Sequence, residues 1–321
     1  MTRLTALRLP SFCTDDTAPR APVLALLRHH AAGGTVPLPL LAGPVFDVWQ
    51  SPRVPRSGQT GLVRWVDDGE MVFLHLTLSH AEWSRDPAAA TEQAYRQLDA
   101  ARLACGSPHW WRFWNYLGGI VDGEGDAERY RQFTLGRHRA WADTGQINQS
   151  LPAATAIGCA EGLHIFALAG QQSATPIENP RQVSAWRYPR DYGVQPPSFA
   201  RASLVRDGQQ GWLFVSGTAS IVGHQSRHLL DLAAQFAEAR LNLDAVITAA
   251  AQAADCDPAC FTPHNFKLYW SRAEDAQRHQ GLADLLCALA PTQVLHGTVC
   301  RRELGVEIEA LYALDVARGP A

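Results

Sequence analysis

Two acids separated by one apolar residue stand near the C-terminus, in Val306-Glu307-Ile308-Glu309. On a strand, alternation sends Glu307 and Glu309 to one face and Val306 and Ile308 to the other. Two acids on one face either look into water or line a polar site. A carboxylate held partly dry in a pocket has a raised pKa and is equipped to act as a general acid. Cys300 precedes Glu307 by seven residues; a single cysteine is ordinarily a small apolar filler. The loop Glu178 to Gly193 carries Arg181, Arg187 and Arg190 with Tyr188 and Tyr192. It reads either as a proline-stiffened surface loop or as an anion clamp with aromatic walls. The stretch Ser216-Gly217-Thr218-Ala219-Ser220-Ile221-Val222-Gly223-His224 follows an apolar strand, and its small residues permit close approach to backbone amides.

The elements that must position these residues repeat along the chain. Gly61 to Val66 and Met71 to Leu78 read as strands, Asp86 to Cys105 as a helix with Pro87 in its first turn, and His109 to Tyr116 as an aromatic strand. A second helix is expected from about Glu128 to Thr144, and Gly145 to Pro152 reads as a linker. Beyond it, Leu163 to Ala169, Ala200 to Val205 and Trp212 to Ser216 read as strands, His228 to Ala254 as a long amphipathic helix and Asn265 to Ser271 as a strand. Ala273 to Leu289 reads as a helix, and Thr292 to Arg301 and Gly305 to Leu314 as strands paired around Arg302-Glu303-Leu304. The expectation is an α+β fold of two similar units, residues 1–147 and 148–321, each a mixed sheet with helices on one face. A crevice between two such units is a common place for a small-molecule site.

The bulk numbers narrow the chemistry. The 321 residues suit two domains, and 46% hydrophobic against 18% charged residues is a globular composition. A net charge of -3 gives no footprint for nucleic acid or a polybasic membrane patch. Of the 28 basic residues only Lys267 is lysine, so any anion is to be held by arginine, whose fork suits carboxylates. The seven cysteines are irregularly spaced and Met1 to Pro10 has no secretory pattern, so the expectation is a cytoplasmic protein with free thiols. No G-x-S-x-G, P-loop, HExxH or CxxC signature is present, and Cys256-x-x-x-Cys260 lacks partners for a zinc site.

Leu213-Phe214-Val215-Ser216-Gly217 and Val306-Glu307-Ile308-Glu309-Ala310 resemble the small trimeric RidA/YjgF imine deaminases over roughly residues 200–315. Those proteins hold the substrate carboxylate with an arginine whose counterpart falls near Val294, where none stands. A longer set of motifs resembles the chorismatase family. It comprises Arg112-Phe113-Trp114-Asn115-Tyr116, Glu128-Arg129-Tyr130-Arg131-Gln132-Phe133, Gly136-Arg137, Leu151-Pro152-Ala153, Glu178 to Ala185 and Ser216 to His224.

That resemblance implies an enzyme that removes the enolpyruvyl group of chorismate as pyruvate, leaving a hydroxybenzoate, with 3-hydroxybenzoate the expected product. It also implies that Glu307 is the proton donor, that Cys300 matters in forming the aromatic product, and that no metal or organic cofactor takes part. Arg137, Arg187 and Arg201 are the candidates for the two substrate carboxylates, Tyr188 and Tyr192 for walls or hydroxyl donors, and Gly217, Thr218 and Ala219 for backbone contacts. The alternatives are hydrolysis to a dihydroxycyclohexadiene carboxylate, formation of 4-hydroxybenzoate, and a non-catalytic binder of carboxylated metabolites. Two fused units could cover what the small proteins bury by trimerising, so a monomer is expected, with no nucleic-acid or membrane partner.

Overall fold

The structure, a computed structural model, describes residues 10–13, 22–31, 34–51, 53–143, 145–146 and 150–318. Most of the Met1 to Pro10 stretch and the middle of the expected 145–152 linker lie outside the described residues. In the first half the strands are β1 (Pro10–Cys13), β2 (Val23–Arg28), β3 (Leu40–Ala42), β4 (Phe46–Gln50), β5 (Arg56–Thr60), β6 (Val63–Asp67), β7 (Met71–Leu78), β8 (His109–Gly118), β9 (Ala153–Cys159) and β10 (Leu163–Gly170). Helices α1 (His80–Arg85) and α2 (Pro87–Ala104) precede β8, and α3 (Arg129–Asp143) precedes β9. The second half holds β11 (Ala174–Ile177), β12 (Ala202–Asp207), β13 (Gln210–Ala219), β14 (Ile221–Val222), β15 (Gln225–Ser226), α4 (Leu232–Ala254) and β16 (Phe261–Trp270). It ends with α5 (Ala273–Arg278), α6 (Gln280–Cys287), β17 (Thr292–His296), β18 (Thr298–Val299) and β19 (Val306–Asp315).

Two seven-stranded mixed sheets result. The first runs β18-β9-β8-β10-β7-β6-β5 and the second β11-β12-β13-β19-β16-β17-β3. Each has one parallel pair in the middle of the chain's winding, β8 with β9 and β16 with β17. Pro87 opens α2 and the Asp86 side chain accepts from Ala89 N, a satisfied N-cap. Asp231 does the same for α4 through Ala234 N. Helices α2 and α3 cover the outer face of the first sheet over a core that includes Tyr95, Phe113, Phe133 and Trp141. Helix α4 covers the outer face of the second over Phe236, Leu243, Leu268 and Ile308. Between the two sheets lies a third, strongly aromatic core built from Trp49, Phe73, Trp111, Trp114, Phe166, Phe214 and Tyr269.

The α+β class, the paired mixed sheets and the outer helices agree with expectation, but three particulars do not. The sheets change over after Gly170 and not at 147/148: β9 and β10 belong to the first sheet, because β10 inserts between β7 and β8 and β9 runs parallel beside β8. Residues 292–301 and 305–314 do not form a hairpin. Strand β17 pairs with β16, the short β18 leaves for the first sheet, and β19 lies between β13 and β16. The expected helix over 273–289 breaks at His279 into α5 and α6. Through β18, and through β3 on the far edge of the second sheet, each half lends a strand to the other.

Candidate active site

Strand β19 is buried on both faces. Val306, Ile308, Ala310, Tyr312 and Leu314 join the core under the outer helices, so alternation turns Glu307 and Glu309 toward the first sheet, as the sequence pattern predicts. Both are nearly inaccessible, at 4% and 6% exposure. Opposite Glu309, the pairing of β13 with β19 slips between Val215 and Thr218, just before Ala219 pairs with Glu307. The resulting bulge, a device common beside functional sites, lays Gly217 directly on the Glu307 carboxylate. A Cβ added at Gly217 would collide with Glu307 Oε1. Ser216 fixes the bulge from behind: its hydroxyl donates to Ala200 O at 2.6 Å and accepts from Ala154 N at 2.9 Å.

The two acids live in different company. Glu309 accepts from Trp114 Nε1 at 2.6 Å, Thr155 Oγ1 at 2.8 Å and the Tyr269 hydroxyl at 2.9 Å. It also pairs with Arg112 Nη2 at 2.9 Å. Burial pushes its pKa up, but Arg112, Lys267 and these donors outweigh that and hold it below the ordinary range. Glu307 has no hydrogen-bond donor or ion-pair partner among the described residues. Burial first, and the neighbouring Glu309 charge second, push it up from 4.5 to about 8, against a downward pull from Arg112 and Arg201. The environment of Glu307 thus favours its protonated form at neutral pH.

Glu307 opens on a cleft of about 940 Å³, mouth included, whose wall also contains Tyr188, Tyr192, Arg201, Gly217, Ala219, Cys300 and Arg301. An inner chamber of about 410 Å³ shares Tyr130, Phe199, Gly217, Cys300 and Glu307 with it and adds Arg137 and Thr155. Four guanidinium groups around this space have no carboxylate within ion-pairing distance among the described residues: Arg137, Arg201, Arg301 and the exposed Arg302, which donates to Val121 O and Gly123 O. Arg137 is the most constrained. It is 3% exposed, its Nε and Nη2 have no hydrogen-bond partner, and its guanidinium lies 4.2 Å from the Trp141 ring and within 5.3 Å of Tyr95 and Phe113. Arg201 donates to Val183 O at 3.0 Å and to the Tyr188 hydroxyl at 2.8 Å. Arg301 donates to His224 O and Ser226 Oγ and lies 4.2 Å from the Tyr192 ring. Buried cations bonded only to neutral acceptors are sites for anions. Cys300 is partly open to the cleft, yet burial and the Glu307 carboxylate push its thiol up to about 12, so it is a neutral S–H.

Of the residues expected at the site, Glu307, Cys300, Arg137, Tyr188, Tyr192, Arg201, Gly217 and Ala219 come together. Arg187 does not: it is exposed and stacks 4.4 Å from the Trp186 ring, turned outward by the short turn Ala185–Arg187. Thr218 does not either. It pairs with Ile308, on the helix-facing side of the sheet, and its hydroxyl donates to Ser216 O at 2.8 Å. The loop is thus half a clamp. Its tyrosines reach the cleft, whereas Arg181 serves Glu238 and Asn242 and Arg190 serves Asp126. The cationic half comes from Arg201 and from Arg301, which sequence reasoning missed although it adjoins Cys300. Tyr130, also missed, sits inside one of the quoted motifs. The buried partners of Glu309 carry no local signal, since Arg112, Thr155 and Lys267 come from three separate strands.

A buried acid facing a cleft with guanidinium groups that lack carboxylate partners, set between two mixed sheets, is the geometry of a small-molecule enzyme site. Comparison with known proteins gives it a family. Residues 47–169 match the family model of the N-terminal part of FkbO/Hyg5-like chorismatases. A 3-hydroxybenzoate synthase of Streptomyces hygroscopicus is 33% identical over 84% of this chain and 82% of its own length. A chorismatase of the same organism is 32% identical over 83% and 79%. A crystal structure of a chorismatase superposes with a TM-score of 0.81 at 27% identity, covering 94% of this chain and 97% of that one. The chain belongs to the chorismatase family.

Proposed function

We propose that this enzyme cleaves chorismate to pyruvate and 3-hydroxybenzoate, with Glu307 as the proton donor. The observation that carries the reading is the pairing of a dry, unpartnered acid with unpaired arginines. Chorismate has two carboxylates, and Arg137 in one chamber and Arg201 with Arg301 in the other offer two cationic stations along the space that Glu307 lines. With the substrate so held, the Glu307 proton passes to the terminal methylene of the enolpyruvyl group. The C=C pair forms the new C–H bond and the ether oxygen stabilises the resulting oxocarbenium. Water adds to that cation and loses a proton, and the resulting hemiketal collapses to pyruvate as the ring oxygen takes a proton and leaves as the ring alcohol. Formation of the aromatic ring removes one ring hydrogen and one ring oxygen substituent as water, so substrate and the two products balance without an oxidant. Aromatic walls from Tyr130, Tyr188, Tyr192 and Phe199 limit water around the ring. The Cys300 thiol, adjoining Glu307, is the residue we assign to the choice between the aromatic product and the diol. No cofactor is needed for these steps.

The test is incubation of the purified protein with chorismate and chromatography of the products, beside Glu307→Gln and Cys300→Ala. Pyruvate with 3-hydroxybenzoate, both lost in Glu307→Gln, supports the reading. A shift to dihydroxycyclohexadiene carboxylate in Cys300→Ala supports the role of the thiol. Pyruvate release no faster than without enzyme would reject catalysis and leave a binder of carboxylated metabolites.

A further inference from the structure

Glu309 is too well satisfied to be a chemical participant and too deeply placed to be a surface charge. It sits two residues from Glu307 on the same strand face, about 7 Å away by strand geometry. Four groups from three other strands converge on it: Trp114 and Arg112 from β8, Thr155 from β9 and Tyr269 from β16. Arg112 also donates to Thr155 Oγ1, and that same oxygen accepts from Gly217 N at 3.0 Å. Thr155 thereby ties the carboxylate of Glu309 to the bulge on which Glu307 rests. Behind Glu309, Lys267 Nζ lies 3.9 Å away but only 2.6 Å from Asp47.

Counting charge across this buried layer gives two cations, Arg112 and Lys267, and two anions, Glu309 and Asp47. The cluster is balanced. A proton removed from Glu307 would leave an unmatched negative charge beside it. The other titratable and charged groups lining the space Glu307 opens on are Glu128 ahead of α3, Tyr130, Arg131 and Arg137 from α3, Tyr188, Asp191 and Tyr192 from the 178–193 loop, Arg201 ahead of β12, and Cys300, Arg301, Arg302 and Glu303 after β18, with Tyr269 beside Glu307 on β16. Burial keeps Tyr130, Tyr269 and the thiol neutral, and Arg137, Arg201, Arg301 and Arg302, which have no carboxylate partner among the described residues, are the groups that bound substrate carboxylates would neutralise.

We propose that Glu309 is a positioning residue, whose carboxylate, fixed in place by Arg112, Thr155, Trp114 and Tyr269, keeps the Glu307 carboxyl protonated and ready to donate. This rests on the reading of Glu307 as the proton donor. A like charge at about 7 Å in a partly dry interior changes the ionisation of its neighbour by about one to two pH units. Glu309 thus acts by repulsion, and Arg112 tempers that repulsion while locking the carboxylate.

Two variants with opposite signs test this. Glu309→Gln removes the repelling charge and leaves Arg112 facing Glu307, so the pH above which kcat/KM falls moves down by at least one unit. Arg112→Gln removes the tempering cation and moves it up. Glu309→Asp, which keeps the charge, restores a profile close to wild type. In parallel, the carboxyl C=O infrared band absent from Glu307→Gln is titrated in each protein, which reads the protonation of Glu307 without turnover. Lower kcat at every pH with no displacement of either profile overturns the proposal and leaves Glu309 a packing group. If one of the two opposite variants does not fold, the other still decides, because each has its own predicted direction. Band and rate moving together support both readings. A band that moves while the rate profile stays overturns the assignment of Glu307 as proton donor and leaves the electrostatic coupling intact.

Discussion

Placing an unpartnered acid in a dry layer costs stability, and the cost depends on pH in a way that Glu307→Gln should reveal. Glu307 is raised from 4.5 to about 8 in the folded chain. The folded state therefore binds its proton more tightly than the unfolded state does. The contribution is fully present below 4.5 and is lost progressively as pH rises through the interval to about 8. At about 1.4 kcal/mol for each tenfold change in proton affinity, the whole interval is worth roughly 5 kcal/mol. About 3 kcal/mol of it develops between pH 5.5 and pH 9. Glutamine keeps the shape and cannot ionise, so the variant escapes this loss. Thermal unfolding of both proteins between pH 5.5 and 9 should show the Gln variant gaining on wild type by roughly 3 kcal/mol, or about 4–5 °C for 321 residues. Above pH 8 the gap should stop growing. A gap that stays constant across the range would show that Glu307 is ionised in the folded protein throughout, and would refute the argument that burial holds its proton.

Four other outcomes follow from the geometry. Gly217→Ala pushes a methyl group into Glu307 Oε1 and should lower kcat/KM at least about 100-fold, measured by pyruvate release, with little effect on the melting temperature. Arg301→Met removes a cleft cation that serves only neutral acceptors; loss of about 2 kcal/mol of charge-assisted binding should raise KM for chorismate near thirtyfold. Asp47→Asn leaves the buried Lys267 without its 2.6 Å partner and should destabilise the fold by about 3 kcal/mol or more in chemical denaturation. Because one chain supplies both sides of the cleft, a monomer is expected to be fully active, and light scattering at micromolar concentration should report about 35 kDa; a stable trimer would contradict this.

Periodicity made the long elements legible. Met71 to Leu78 is a strand with the predicted limits, and Asp86 caps the helix it was expected to start. The alternation in Val306-Glu307-Ile308-Glu309 carried the most functional content, since it placed both acids on one face before any fold was known. What failed was of two kinds. Strand β9, Ala153-Ala154-Thr155-Ala156-Ile157-Gly158-Cys159, is built from small residues covered on both faces, so it shows neither the alternation nor the β-branched bulk that marks a strand. It carries no element in the expected order, and the 145–152 stretch before it, read as a linker, sets the expected boundary at 147/148. The second failure concerns arginines. Of the candidates Arg137, Arg187 and Arg201, the one from the 178–193 loop fails: Arg187 turns outward onto Trp186, while Glu238 and Asp126 claim the loop's Arg181 and Arg190. Arg301, which is not among them, is free for the cleft because its neighbours are a carbonyl, a hydroxyl and a ring, which only tertiary structure reveals.

The same contrast explains why the site lies in the inter-sheet layer. That layer is mainly aromatic, and an isolated ionised carboxylate there would be prohibitive. The chain makes it tolerable for Glu309 by converging donors and cations from both sheets, and it leaves Glu307 with none. The two acids differ in environment and not in kind: Glu309 is paired and held below the ordinary range, Glu307 is unpaired and held above it. Lys267 and Arg112 are suited to their separate posts. The compact ammonium serves Asp47 at the rear, whereas the guanidinium fork reaches Glu309 and Thr155 together. Asp47 comes from the small N-terminal sheet of β1, β4 and β2, packed beside the aromatic layer through Leu24, Leu27 and Trp49. Asp47 therefore closes the charge balance of the layer behind Glu309 through Lys267, and β4, which carries it, takes part in the electrostatics of that layer.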